Sequence, residues 1–528
     1  MKKILSLIGA VAVCAVACAQ PMQPQQKLRY AEQVVERFYV DTVDTDRLVE
    51  EAIVAMLKTL DPHSVYSDAE ETRELTEPLQ GNFSGIGIQF NMLTDTLYVI
   101  QTVAGGPSEK VGILAGDRIM SANDTLISGV KMKTPDVMKH LRGPKGSVVN
   151  VKVLRKGVPE LIEFRIVRDD IPIYSVDASY MVDGTTGYIR VSRFAESTFD
   201  EVVKAMAALS KKGMKNLIID LEDNGGGYLK AAYDLAGLFL KNNDLVVYTK
   251  GDKVEPFYYR AMGDGPFADG KVVVMVNQYS ASASEILSGA LQDNDRGVVV
   301  GRRTFGKGLV QRPFPFPDGS MIRLTVARYY TPSGRSIQKP YTSGDDSDYR
   351  ADILHRYQAG ELSSADSVHF ADSLRYYTLR NHRPVYGGGG VMPDRFVPID
   401  TTFYSDYYRD LVAKGALNKY CVNYVDANRK TLRRMYKKED AFVQRFEVTP
   451  EMMEGLIEQG RKDGVEYNEE QYARSAEYLR TIVKALIGRD LFEQSTYYRV
   501  ANPMNPVYRE AIRMISDGDA YDAALGNR

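Results

Sequence analysis

The stretch Val272-Val-Val-Met-Val-Asn-Gln-Tyr-Ser-Ala-Ser-Ala-Ser-Glu285 changes character twice along its length. Its five opening residues form an apolar run with no polar alternation, which predicts a strand covered on both faces, as in a parallel sheet. The small residues after it predict a turn, and Glu285 to Gln292 reads as a helix. Working outward, the same texture recurs. Apolar strands are predicted at Asn216 to Leu221, Asp244 to Tyr248 and Val298 to Val300, with a further helix at Leu229 to Leu240. Strands alternating with helices predict βαβ units and an α/β core, placed at residues 168–400. Within it, the polar segment 341–381, rich in Asp, Ser and Tyr, predicts a surface insertion.

Upstream, between Gly81 and Gly157, short apolar runs are punctuated by glycine: Gly85-Ile-Gly-Ile88, Leu97 to Val103, Arg118 to Ala122 and Val148 to Leu154. A small strand-rich module is expected there, with boundaries at 79–167. Ahead of it, Leu48, Val49, Ala52, Ile53, Met56, Leu57 and Leu60 recur at helical spacing. This predicts two helices ending at Asp61-Pro62 within a helical segment, residues 27–78. Downstream, residues 401–528 read as a helical appendage, with amphipathic segments at Thr431 to Phe446 and Glu469 to Leu486. The helical ends are candidate surfaces for a homo-oligomer, although such apolar stripes serve intramolecular packing as well.

A chain of 528 residues exceeds what one hydrophobic core organises, so two or three domains are expected. The 67 Lys+Arg against 69 Asp+Glu give a net charge of -2 with no basic block, which argues against a nucleic-acid partner. Past the N-terminus no run approaches the roughly 18 to 20 apolar residues that span a bilayer, so no transmembrane span is expected in the mature chain. At the N-terminus, Lys2 and Lys3 precede an apolar run from Ile4 to Ala17 that ends in Ala17-Cys-Ala19. This predicts a signal peptide, residues 1–19, and an exported, periplasmic protein, with lipid anchoring at Cys18 as the alternative. Cleavage after Ala19 leaves Cys421 alone of three cysteines, and therefore no internal disulfide. Without clustered His and Cys the mature chain suggests no metal site, and no cofactor motif is found.

For chemistry, the turn carrying Ser280, Ser282 and Ser284 is the leading candidate. A serine between a buried strand and a helix is exposed with little cover, and the first amides of the helix can stabilise an oxyanion; a plain helix N-cap reads equally well. The five histidines include none between Leu141 and Leu354, so a Ser/His/Asp triad would need a histidine from an accessory segment. A lysine is the better candidate base. Lys307 lies in Thr304-Phe-Gly-Lys-Gly-Leu-Val-Gln311, where Gly306 and Gly308 allow close backbone approach. To act near neutrality its pKa must drop from about 10.4 to about 7, a bias of roughly 4 kcal/mol that burial could supply; a solvated surface lysine is the plainer reading. A third piece, Asn216-Leu-Ile-Ile-Asp-Leu-Glu-Asp-Asn-Gly-Gly-Gly227, runs a strand into a glycine turn whose amides could face an anion. No Lys-Ser/Thr follows these glycines, so nucleotide binding is weakly supported.

Together these segments, from about Leu60 to Pro398, resemble the carboxyl-terminal processing peptidases, serine proteases that use a Ser/Lys dyad. The resemblance implies Ser282 as nucleophile, Lys307 as base and Gln311 as the residue orienting the lysine; the four residues from 307 to 311 also make one helical turn. It further implies an oxyanion site built from the amides of Ala283 and Gly226. Thr325-Val-Ala-Arg-Tyr-Tyr-Thr-Pro-Ser-Gly-Arg-Ser-Ile337 and Gly390-Val-Met-Pro-Asp394 match further family motifs in order. The chain departs from the family at Glu222, where an arginine is usual, and at Gly225, where a proline is usual.

The strand-rich module is similar to a PDZ domain. Gly85, Ile86, Gly87 and Ile88 correspond to its carboxylate-binding loop, and Gly112-Ile-Leu-Ala-Gly-Asp-Arg-Ile119 to a later turn. Such modules add a peptide beside an edge strand and hold its terminal carboxylate, which implies protein or peptide partners bound through their C-termini. Arg142 would contact a carboxylate, contact the core, or stand in solvent. The resulting expectation is an exported serine endopeptidase acting near C-termini through an acyl-enzyme, without a cofactor. Its rivals are a non-catalytic envelope protein that binds C-termini and a related acyl-thioester enzyme that uses only the oxyanion site.

Overall fold

The run Val272–Val276 forms a strand whose five residues are all buried. Full burial of each such side chain contributes roughly 1.5–3 kcal/mol, enough to make this segment the axis of the fold. In the computed structural model, which describes residues 22–93 and 95–527, it lies inside a six-stranded sheet. The order is Val176–Met181, Thr186–Val191, Asn216–Asp220, Val272–Val276, Val298–Gly301, Arg395–Phe396. The first pair is antiparallel and every later pairing parallel. Helices Thr198–Ser210, Leu229–Ala236 and Ala283–Asp293 cover one face, burying Ile189, Leu217, Ile219 and Val274.

The opposite face is covered by the end of the chain. Val507, Tyr508, Ala511, Met514 and Ile515 of helix Pro506–Ser516, with Tyr521 and Leu525, pack on Ile218, Val273, Met275, Val298 and Val300. The tail is thus of two kinds. Its earlier helices, from Asp406–Ala413 to Glu469–Leu491, enclose a core of their own around Leu411, Val425, Leu456, Val483 and buried Cys421. Its last residues complete the sheet, because a parallel sheet must be covered on both faces.

One predicted strand lies elsewhere. Leu245–Gly251 is absent from the parallel sheet and pairs antiparallel with Val254–Arg260 and with Arg328 to Tyr330. It is followed by the short turn of a hairpin, so no crossover returns it to the parallel sheet, although Val246 and Val247 are both buried in the main core.

The chain divides into two compact units. The larger holds the sheet, the tail and the strand-rich module. The smaller comprises residues 22–69 with Gln311–Thr325 and Tyr341–Tyr349. In it, helices Pro24–Phe38 and Thr45–Lys58 form as the apolar spacing predicts. Asp61 then organises the following turn, its Oδ1 accepting from the His63 and Ser64 amides and from Thr325 Oγ1.

In the larger unit, the module is a six-stranded antiparallel sheet with Ile88–Leu93 at one edge and helix Thr134–Leu141 beside it. Its other side rests on the tail: Leu93 and Ile100 pack on Val422, and Arg118 pairs with Asp426 at 3.4 Å. The predicted leader, residues 1–19, lies outside the described residues.

Candidate active site

Ser282 stands at the N-cap of helix Ala283–Asp293 with φ 55° and ψ -112°. A non-glycine residue held there is strained, and such strain persists only where the surroundings over-determine it. Those surroundings centre on Glu285, which is fully buried. Its Oε2 accepts from the Ser282 amide at 2.8 Å and from the Lys307 amide at 2.9 Å. Its Oε1 accepts from the Gly306 amide at 2.7 Å and the Thr304 hydroxyl at 2.5 Å. One carboxylate therefore ties the serine turn to the lysine loop, and burial pushes its carboxyl above the ordinary value in spite of four donors. On the other side, the buried Tyr329 hydroxyl lies 2.5 Å from Lys307 O and 3.1 Å from Ser282 O. With one proton to give, it donates to the nearer carbonyl. Glu285 and Tyr329 were not singled out from the sequence: the Glu285 bond to the Ser282 amide is local, but the bonds by which Glu285 and Tyr329 join the serine turn to the lysine loop span 19 to 47 residues.

The Lys307 loop is held on a third side by the insertion. Arg356 is buried and donates to Thr304 O at 3.0 Å and Arg303 O at 2.6 Å. The insertion is thus not wholly a surface feature. Gly306, at φ 89°, and Gly308 lie so close to residues 338, 339 and 389 that a Cβ would fall 2.9 to 3.1 Å from backbone or side-chain atoms there. The expected close approach is met. A second lysine, Lys339, is buried, and burial pushes its ammonium pKa down, but it pairs with Asp352 at 3.0 Å and lies over the Phe305 ring.

Two expectations require correction. The Gly226 amide does not face a vacant anion site: it donates to Asn224 Oδ1 at 2.8 Å, the side chain closing a turn on the backbone two residues on. Gly226 still lies against the serine turn, with φ 102° and a hypothetical Cβ 2.8 Å from Ser282 Cβ and 3.0 Å from the Ala283 nitrogen. Gln311 is not one helical turn from Lys307. It lies on strand Leu309–Pro315, after a loop in which Gly306 takes φ 89°, outside the helical region. In the smaller unit its Nε2 donates to Thr325 Oγ1 at 3.3 Å.

The PDZ-like module presents a second site. A cleft of about 510 Å³ runs between edge strand Ile88–Leu93 and helix Thr134–Leu141, lined by Ile86, Ile88, Phe90, Met138 and Leu141. At its end, Ile86 O accepts from Ser108 N and Oγ, and Gly87 O from Val103 N. In a trans peptide C=O and N–H point oppositely, so the amides of Gly87 and Ile88 are directed away from those donors. Gly85 is not among the lining residues; it pairs with Asp169 in the ribbon Asn82–Gly85/Asp169–Pro172. Arg142 is partly exposed, but its guanidinium pairs with Glu77 at 2.7 Å and covers the Phe83 ring at 4.5 Å.

Residues 185–348 match the model of peptidase family S41, and residues 84–166 that of the PDZ domain. Residues 14–72 match the N-terminal domain of the activating protease CtpB, and 407–493 a family of unknown function. The carboxy-terminal-processing protease of Bartonella bacilliformis is 37% identical over 305 residues, which is 57% of this chain and 69% of the relative. The carboxy-terminal processing protease CtpB of Bacillus subtilis is 36% identical over 337 residues, 63% of this chain and 69% of the relative. Among solved structures, the photosystem II D1 C-terminal processing protease is 30% identical and covers 58% of this chain and 89% of its own, with a TM-score of 0.33. With such identity over more than two thirds of its relatives' length, the chain belongs to the carboxy-terminal processing protease family, as a serine-type peptidase of family S41 with a PDZ domain.

Proposed function

We propose that this C-terminal processing serine protease works through a Ser282/Lys307 dyad and an acyl-enzyme, on protein or peptide substrates whose C-termini the PDZ cleft engages. The observation that carries the reading is the shared Glu285 Oε2, which accepts from the amides of both residues and fixes the serine turn and the lysine loop to one atom. In the proposed cycle the Ser282 hydroxyl oxygen bonds to the scissile carbonyl carbon as its proton passes to the neutral Lys307 amine. The Ala283 amide, first of its helix, faces the developing oxyanion. Lys307 returns the proton to the departing amine, and water then hydrolyses the serine ester. Gln311 orients the lysine by family likeness, with Thr325 as its partner in the fold.

In the PDZ cleft the peptide adds antiparallel to Ile88–Leu93, its carboxylate meeting the Gly87 and Ile88 amides. Export to the periplasm under the leader at residues 1–19 completes the reading, with Cys18 lipidation as the alternative form of envelope attachment.

The test is mass-spectrometric mapping of fragments from an unfolded protein incubated with residues 20–528, or with its Ser282→Ala and Lys307→Ala variants. Cleavage by the wild type with loss of at least about 10³-fold in both variants, each still folded, is the expected result. Undiminished cleavage by Ser282→Ala would overturn the assignment.

A further inference from the structure

Glu222 stands two residues past strand Asn216–Asp220 and two before Asn224, whose side chain holds the Gly226 amide. It is 6% exposed. Its Oε1 lies 3.7 Å from Arg302 Nη2, and its Oε2 accepts from Asn505 Nδ2 at 2.6 Å. Its main chain is equally fixed, the amide donating to Asp220 Oδ1 at 2.8 Å and the carbonyl accepting from Arg190 Nη2 at 2.9 Å. Arg302 in turn donates from Nε to Gln278 Oε1 at 2.9 Å, four residues before Ser282. It follows strand Val298–Gly301 and opens the segment that reaches Lys307. Asn505 caps helix Pro506–Ser516, its Oδ1 accepting from the Val507 amide. The C-terminal ends of three neighbouring parallel strands are therefore joined through one buried carboxylate, and the end of the chain holds its second oxygen.

We infer that Glu222 is a positioning residue for the peptidase reaction, and that Asn505 recruits the C-terminal segment to the same task by holding Glu222 in place. Glu222 fixes the glycine turn against the Ser282 turn while Arg302 carries the link to Gln278 and the lysine loop. The ion pair has the polarity opposite to the one the usual arginine at this position would allow: the anion sits on the glycine turn and the cation on the neighbouring strand end. An uncompensated buried charge is destabilising, so removing Glu222 leaves Arg302 without its partner charge. Because Gly226 lies in contact with Ser282 and the Ala283 nitrogen, a displacement of the turn is transmitted to the serine. Misplacement on the order of 1 Å in such a site lowers turnover by about 100-fold. The inference rests on the Ser282/Lys307 reading.

The test compares kcat and KM of wild type, Glu222→Gln, Glu222→Ala, Asn505→Ala, Glu222→Ala/Asn505→Ala and Ser282→Ala on one peptide that the wild type is shown to cleave. Expected are a kcat lowered about 10-fold to 100-fold in Glu222→Ala and several-fold in Asn505→Ala, with KM within about 3-fold. The double variant should be no slower than Glu222→Ala, because both substitutions break one contact. Glu222→Gln keeps an acceptor for Asn505 and should fall between. Wild-type kcat in Asn505→Ala, or fully multiplicative losses, would overturn the inference even if Glu222→Ala fails to fold. An inactive Ser282→Ala beside such results confines the failure to Glu222; an active one removes the dyad reading itself.

Discussion

The PDZ cleft and the Ser282/Lys307 site use hydrogen bonds in opposite ways. The cleft is an apolar trough beside an edge strand, the place where the proposed reading adds a substrate strand. At the serine turn, the polar groups are already engaged by the protein: Glu285 takes four donors, Asn224 takes the Gly226 amide, and Tyr329 meets two carbonyls. Recognition with little sequence demand requires unfilled acceptors and donors. Acyl transfer requires atoms held in place before the substrate comes, and a strained serine demands neighbours that leave it no alternative.

The largest effect should come from loosening the site that is held. Gly226→Ala places a methyl 2.8 Å from Ser282 Cβ and from Ala281 O at φ 102°, so the two turns must part. We expect kcat to fall by about 100-fold or more while a C-terminal peptide still binds, read by fluorescence anisotropy. Equal loss of binding and turnover would break the contrast between the two sites. Next in size is Met138→Glu, which puts a charge into the apolar cleft; peptide affinity should drop about 10-fold, and unchanged affinity would show that the peptide lies elsewhere.

The smallest effect is a pH dependence that should separate a titrating Glu222 from a passive one. Burial, then the neighbouring Asp220, pushes its carboxyl up to about 7, against the pull of Arg302, Asn505 and Arg190; Asp223 and Tyr279 also face Arg302. Its ordinary value is 4.5. Between those values the folded protein holds the proton more tightly than the unfolded chain, so the contribution is fully present below about 4.5 and is lost as pH rises through about 7. The Tm of the wild type relative to Glu222→Gln should therefore fall by about a few degrees from pH 5 to pH 8. A pH-independent difference would leave Glu222 charged, or neutral, throughout.

Much of this arrangement was legible in local pattern. Val272–Val276 read as a doubly covered strand because it lacks alternation, and the small residues after it marked the serine turn. Gly306 and Gly308 signalled close backbone contact around Lys307, which Gln338, Lys339 and Gly389 supply. Leu245–Gly251 misled because a short apolar run has the same texture whether it joins a parallel sheet or a hairpin. The Gly226 amide misled because glycine shows that a turn exists, not where its N–H points; Asn224, two residues earlier, carried the missing information.

By itself the sequence determined the alternation of strands and helices in the core, and which serine and lysine are worth testing, because periodicity, glycine placement and motif order act over a few residues. Only the tertiary structure decided what holds them. Glu285 reaches the Lys307 loop, Arg356 the same loop from an insertion, and Asn505 the glycine turn from the end of the chain. The same is true of the last helices, whose apolar stripe reads alike whether it packs on other helices or closes a sheet. Such links join residues distant in the chain, and they exist because a buried carboxylate or an uncovered apolar face is costly until some partner, from anywhere in the chain, satisfies it.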